Sequence, residues 1–389
     1  MRASARMLLR AAALVALGCV STVPARACVP LAAWSVVSAD GVQEIDVHEV
    51  LARAAPNAVV LLGESHESAE HHRWQLHTLA ALHGQRPDVV LGFGMFPRRT
   101  QPVLDRWVAG ELTETEFLQA VRWSEVWGFD PAYYLPLFHF ARMHRLPMLA
   151  LNVERSLVRR IGRDGPDAVP ESEREGVGRP APAASEYLRE LHAAYRQHGA
   201  DKSADPDDPA FRNFVAGQLM WDRAMAEAIE QGRSRYPGRQ VIAIMGRGHT
   251  VPGAVPHQLR ALGIAQTAVL LPWDLGPECT PPRPGMAQAV FGVAPGAERS
   301  AASRPRLGVA LAPGEGAGAR IEDVEPGSVA AQAGLRAGDV LMAIAGREVR
   351  RNADVLNAIR RQAPGTWLPM RVRRDGTEQE IVAKFPATQ

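Results

Sequence analysis

Cysteine is scarce in this chain: three residues in 389, at positions 19, 28 and 279. Losing Cys19 to a leader or to a lipid leaves only Cys28 and Cys279, so the cysteines allow at most one intramolecular disulfide. Excess charge is missing too. A net charge of +2 at pH 7 provides no dense basic face, which argues against nucleic acid as a partner. Beyond the N-terminal segment, no stretch approaches the roughly 20 apolar residues that a membrane-spanning helix requires. Histidine is absent from the C-terminal part, because all 12 residues lie at or before His257, which confines imidazole chemistry to the first domain. The helical His-Glu-x-x-His motif of zinc proteases is also lacking: the fourth residue after His66 is Glu70.

What is present begins with a leader. Arg2, Arg6 and Arg10 precede an apolar run from Ala11 to Val20, and Ala25-Arg26-Ala27 offers a small-x-small cleavage site. Residues 1–27 therefore read as a secretory signal peptide. Cleavage before Cys28 competes with lipidation at Cys19, and either route delivers an exported protein. In an oxidising compartment a Cys28–Cys279 disulfide is one outcome and two unpaired thiols the other. With 46% hydrophobic and 22% charged residues the remainder is ordinary globular protein, long enough for two or three domains.

The first domain is organised around residues 59–72. Val59-Val60-Leu61-Leu62 reads as a strand buried on both faces. Gly63 stops it, and the polar residues from Ser65 to Ser68 can cap a following helix. The turn then lies at the carboxyl end of a strand, where open α/β sheets place their ligand crevices. Glu64 and His66 are two apart and share a face if the turn stays extended. A helix over Val47–Ala54 precedes this strand. Strands at Val89–Phe93, Met148–Leu151, Val241–Met245 and Ala265–Leu271 alternate with helices around 99–108, 111–127, 134–143, 186–198 and 211–231. That rhythm predicts an α/β fold, a mostly parallel sheet covered by helices on both faces. Residues 162–185, polar and without periodicity, read as a mobile lid or a disordered insertion.

A second turn repeats the grammar of the first. Gly246-Arg247-Gly248-His249 follows the strand Val241–Met245. If the two strands are neighbours, Glu64, His66 and His249 could supply one oxygen and two nitrogens to a divalent metal such as zinc or manganese, with a position open for water. The same residues could equally line a haem pocket. Gly246 and Gly248 let a ligand approach the backbone, and Arg247 could clamp a carboxylate. His71 and His72 read as solvated or capping residues, and His77 and His83 as surface ones.

These residues carry a resemblance. Gly63-Glu64-Ser65-His66 with His71-His72, the run Met95 to Asp105, Trp127-Gly128-Phe129-Asp130 with Tyr133-Tyr134, Trp221 to Ala226, and Gly246 to His249 together resemble the ChaN-like haem-binding family. That family is grouped with the Tiki and TraB proteins and the erythromycin esterases. The resemblance spans roughly 45–275. It implies exported, often lipid-anchored proteins of haem or iron uptake, with a tyrosine ligating haem iron at a homodimer interface, hence Tyr133 or Tyr134 here. One departure stands out: the family's acid before Met-Phe is replaced by Gly94, which removes a carboxylate that hydrolytic relatives would use.

Residues 276–304, rich in Pro and Gly, read as a linker closing a first domain of 28–275. The run from Arg306 through Gly346 resembles a PDZ domain of the bacterial protease-associated kind, covering 305–386. That resemblance implies a groove for a partner protein's C-terminal peptide. Arg306, Leu307, Gly308 and Val309 would form its carboxylate loop, and Val355 and Ile359 of a flanking helix its wall. The expected protein is thus exported, periplasmic or outer-membrane-associated, binds haem or iron, and recruits a partner. The alternatives are a metal-dependent peptidase- or esterase-like hydrolase using Glu64, His66 and His249, and a scaffold with a vestigial site.

Overall fold

The computed structural model describes residues 28–197, 205, 207–276, 280–294, 305–312, 318–360 and 362–387. The leader and Cys279 lie outside them. In chain order the first part runs β1 (Trp34–Ser38), β2 (Gly41–Ile45), α1 (Val47–Ala54), β3 (Val59–Glu64), α2 (Ala69–Gln85), β4 (Val89–Pro97) and α3 (Gln101–Ala109). It continues with α4 (Glu114–Ala120), α5 (Trp123–Val126), α6 (Leu135–Met143), β5 (Met148–Asn152) and α7 (Arg155–Asp164). Then come α8 (Ser185–Gln197), α9 (Pro209–Arg235), β6 (Gln240–Gly246), α10 (Val255–Ala261), β7 (Thr267–Asp274) and β8 (Ala289–Val293).

The eight strands form one sheet in the order β2-β1-β8-β7-β3-β6-β4-β5. From β8 to β5 all neighbours are parallel, while β1 pairs antiparallel with both β2 and β8. Side-chain alternation divides the core. Val60, Leu62, Ile242 and Ile244 pack against α1, α2, α3 and α4 to α6 on one face. Val59, Leu61, Val241 and Ala243 pack against α9 and α10 on the other. Each fully buried Val or Leu of β3 contributes roughly 1.5–3 kcal/mol.

Three expectations need correction. The 276–304 linker contains β8, whose Ala289, Val290 and Val293 are buried on the two faces of the sheet beside β7; the dense Pro and Gly around so short a run hid it. Before α1 the chain forms the β1–β2 hairpin. The single helix expected over 111–127 is broken, because Arg122 adopts φ +55° between α4 and α5. Finally, residues 165–184 are strapped down. Ala181 donates to and accepts from the buried Gln258 side chain, Gly178 donates to Glu227, and Val169 and Val177 are buried against α7 and α9. Gln258→Ala should cost about 1–3 kcal/mol, since two hydrogen bonds leave buried partners. Limited proteolysis should then cut within 165–184 faster than in the parent chain.

The C-terminal part is a separate antiparallel assembly: β9 (Val309–Leu311), β10 (Ala319–Val324), α11 (Val329–Ala333), β11 (Val340–Ile344), β12 (Arg347–Glu348), α12 (Asn352–Arg360), β13 (Trp367–Arg374) and β14 (Thr377–Lys384). Its strand order is β14-β13-β11-β10-β9, with β12 on β11. Gly308 sits at φ +79°, and a Cβ there would lie 2.2 Å from that of Ser328, so only glycine makes this turn.

Candidate functional site

The carboxyl ends of β3 and β6 are adjacent, with Glu64 opposite Gly246 in parallel register. Glycine is needed at both turns. A Cβ on Gly63 would meet Leu271 at 2.3 Å, and one on Gly246 would meet the His66 ring at 2.7 Å. Alternation along β3 sends Glu64 to the face of Val60 and Leu62, where it is 2% exposed. There its Oε1 accepts from His66 Nδ1 at 2.7 Å and from the Tyr134 hydroxyl at 2.9 Å. Burial alone would raise this carboxyl. The His66 bond, His72 and the Tyr134 bond outweigh it and hold Glu64 below its ordinary value. A carboxylate only accepts, so His66 carries a proton on Nδ1.

The second turn builds the same device from the opposite face. Asp222 of α9, fully buried, accepts from His249 Nδ1 at 2.7 Å and from the Tyr187 hydroxyl at 2.7 Å. Here burial wins and pushes the Asp222 carboxyl up despite both donors. Each imidazole also meets an indole edge-on: His66 on Trp127 at 4.6 Å and His249 on Trp221 at 4.9 Å between centroids. The site is therefore two tyrosine–carboxylate–histidine relays, one from each side of the sheet. Both histidines line a single cavity over its carboxyl edge, closed by Gly94, Met245 and Gly246.

That cavity measures about 70 Å3. It has room for a few waters or one small polar group, since one water needs roughly 10–15 Å3, and none for a porphyrin ring. Arg155, the first residue of α7, stands at its rim with its guanidinium 5.4 Å over the Trp127 ring. Among the described residues it has no carboxylate partner. Gly94 is tightly enclosed, because a Cβ there would lie 3.0 Å from that of Met245. The packing around this glycine thus leaves little space for a side chain.

The other expected site residues fall as follows. Tyr134 is fully buried with its hydroxyl spent on Glu64, and burial and that carboxylate push its pKa far up; this opposes the tyrosinate role considered for it. Tyr133, one residue earlier in a 3-10 turn, is half-buried and stacks on His72 at 5.6 Å. Its hydroxyl has no hydrogen-bond partner among the described residues. Arg247 does not line the cavity. Its guanidinium lies 5.8 Å from the Trp273 ring and near Asp274, so it is not placed to clamp a ligand there. The three-ligand metal centre of Glu64, His66 and His249 is not assembled either: Glu64 Oε1 is filled by two donors, and no such cluster occurs among the described residues.

His71 and His72 are not solvated, contrary to expectation. Both are buried on α2. His71 accepts from the Ser65 amide through Nδ1 and, with Nε2 protonated, donates to Asp274 at 2.9 Å, tying the first turn to β7. His72 places its two nitrogens against Gln75 Oε1 and the His66 carbonyl; burial pushes its pKa down, and Glu64 offsets that only in part. Asp222, Tyr187 and Arg155 were missed as site residues. Trp221-Asp222 directly precedes Arg223 within a distinctive run on a long helix, and that was the available signal for Asp222. In the C-terminal module, Leu307, Val355 and Ile359 are buried in the core, and Leu356 is the exposed apolar residue of α12. Strand β9 is the edge of that sheet. Cys28 is disulfide-bonded, and Cys279 lies outside the described residues.

An α/β sheet with twin histidine turns at its carboxyl edge, followed by a PDZ fold, makes this a two-module protein. Residues 50–259, just over half of the chain, match the family described as "Haem-binding uptake, Tiki superfamily, ChaN", and the chain belongs to it. Residues 320–374 match the PDZ domain. A solved structure titled "Cofacial heme binding to ChaN of Campylobacter jejuni" is 15% identical, covering 67% of this chain and 98% of that one, with a TM-score of 0.49. The HtrA3 PDZ domain bound to a phage-derived ligand is 18% identical over 20% of this chain and 82% of that one, with a TM-score of 0.18. A curated relative, the probable periplasmic serine endoprotease DegP-like of Chlamydia muridarum (strain MoPn / Nigg), is 44% identical over 73 residues. That match covers 18% of this chain and 15% of the relative's length.

Proposed function

We propose that this is an exported haem-binding protein that takes the cofactor on the surface of its α/β domain and recruits a partner protein's C-terminus with its PDZ module. The observation that carries the haem reading is the contrast at 133–134: Tyr134 is locked to Glu64, while the Tyr133 hydroxyl is free to be an oxygen donor. Bound ferric haem would supply an iron centre that such an oxygen can ligate. The protein's part is to present Tyr133, whose proton leaves to solvent on ligation, and to keep the ring out of the small cavity. A homodimer, as the family implies, would cover this surface. Export is supported by the leader-like residues 1–27 and by the disulfide at Cys28, which suits an oxidising periplasmic setting. A lipid at Cys19 would place the protein at the outer membrane.

Measuring haem and metal content on one preparation, then titrating haemin by absorbance, tests this reading. A saturable Soret shift supports it. No shift, together with stoichiometric zinc or manganese that is lost in His66→Ala, would replace it with the hydrolase reading. The two free Nε2 atoms on one cavity are what favour that second reading, with His66 or His249 as general base.

For the PDZ module, edge strand β9 beside α12 suits strand addition by a peptide, with the Gly308 turn at its terminal carboxylate. A peptide selected by this module should lose at least about 10-fold in affinity when its C-terminus is amidated, the scale of one charged-group hydrogen bond. Fluorescence anisotropy with the two peptide forms measures this; equal affinities would remove the carboxylate from the recognition.

A further inference from the structure

We infer that the cavity between the two histidine turns is a carboxylate socket, with Arg155 as its anchoring cation, and that the group it receives is a propionate arm of the bound haem. This rests on the haem reading above. Three observations converge on it. Arg155 lines the cavity yet has no carboxylate partner among the described residues, and Trp127 holds its guanidinium by stacking. The nearby acids are spent: Glu154 pairs with Arg99, Glu64 with His66 and Tyr134, and Asp222 with His249 and Tyr187. Gly94 forms part of the wall and brings no charge to it.

Size sets the ligand class. A cavity of about 70 Å3 admits a carboxylate but not a macrocycle, so a porphyrin can insert only a side arm. Charge sets the rest. Guanidinium matches a carboxylate in shape and hydrogen-bonding geometry. The two imidazoles form the polar wall of the socket, each held in place by a buried carboxylate behind it. Iron ligation and propionate anchoring then fall to different residues, Tyr133 and Arg155.

The test compares haemin with its dimethyl ester on the full chain and on Arg155→Gln, an exposed position where folding should be unaffected. Haemin should bind Arg155→Gln roughly 10–100-fold more weakly, the range for one hydrogen bond to a charged group, with the Soret position unchanged. The ester should bind the parent chain more weakly by a similar factor and ignore the substitution. Equal losses for haemin and ester, or no loss, would overturn the assignment. A second arm omits porphyrin: butyrate should slow phenylglyoxal modification of Arg155, read by peptide mass. Protection by butyrate without any haemin binding would keep the carboxylate socket and reject the haem reading. Neither protection nor a haemin effect would reject the socket itself.

Discussion

Glu64→Gln should lower the unfolding free energy at pH 7 by about 3 kcal/mol, at the low end of the roughly 3–5 kcal/mol lost when a buried charged partner is removed. The carboxylate oxygen accepts from both His66 and Tyr134. An amide keeps one acceptor oxygen for these two donors but loses the charge, and its NH2 would stand where Oε2 now lies 3.3 Å from His72 Nδ1. The pH dependence has a definite sign. Burial raises the Glu64 carboxyl, but His66, His72 and Tyr134 hold it below its ordinary value. The unfolded chain therefore binds the proton first on acidification. The Glu64 contribution is complete above the unfolded carboxylate pKa of roughly 4.3 and is lost as pH falls through the lower folded value. Urea denaturation of both chains across pH 7 to 3 should show the gap between them narrowing in acid. A gap that stays constant or widens would mean that Glu64 is not held as an anion.

The second large effect separates adjacent tyrosines. Tyr133→Phe should abolish the haemin Soret shift or weaken binding by more than about 10-fold, one charge-assisted contact or more, while stability stays within about 0.5 kcal/mol, as for a surface change. Tyr134→Phe should do the reverse. It removes a donor from a buried carboxylate, worth roughly 1.5–3 kcal/mol, and leaves the haem spectrum in place. Absorbance titration and urea midpoints on both variants read the two effects together. Haem loss confined to Tyr134→Phe would contradict the assignment made from burial.

The parts of this site carried by local pattern were legible before any coordinates. Two apolar runs each ending in Gly-x-x-His mark strand ends, and the spacing of Glu64 and His66 puts them on one side; the 2.7 Å bond between them is the consequence. The order of Tyr133 and Tyr134 was not legible, because one residue of phase in a 3-10 turn decides which ring enters the core. Asp222 and Tyr187 reach His249 from helices 27 and 62 residues away in sequence, and no local periodicity encodes that meeting. The strap at 165–184 looked like a lid because its own residues are polar and aperiodic. Its order comes from Gln258 and Glu227, supplied by other elements. β8 was hidden for a compositional reason, a five-residue strand set among prolines and glycines.

The most direct test of the whole account is the electron paramagnetic resonance spectrum of the ferric haem complex. Iron held outside the cavity by the Tyr133 oxygen predicts a high-spin ferric signal that Tyr133→Phe abolishes or alters. A low-spin signal of bis-imidazole ligation, lost in His66→Ala or His249→Ala, would put the iron on the histidine turns and contradict it.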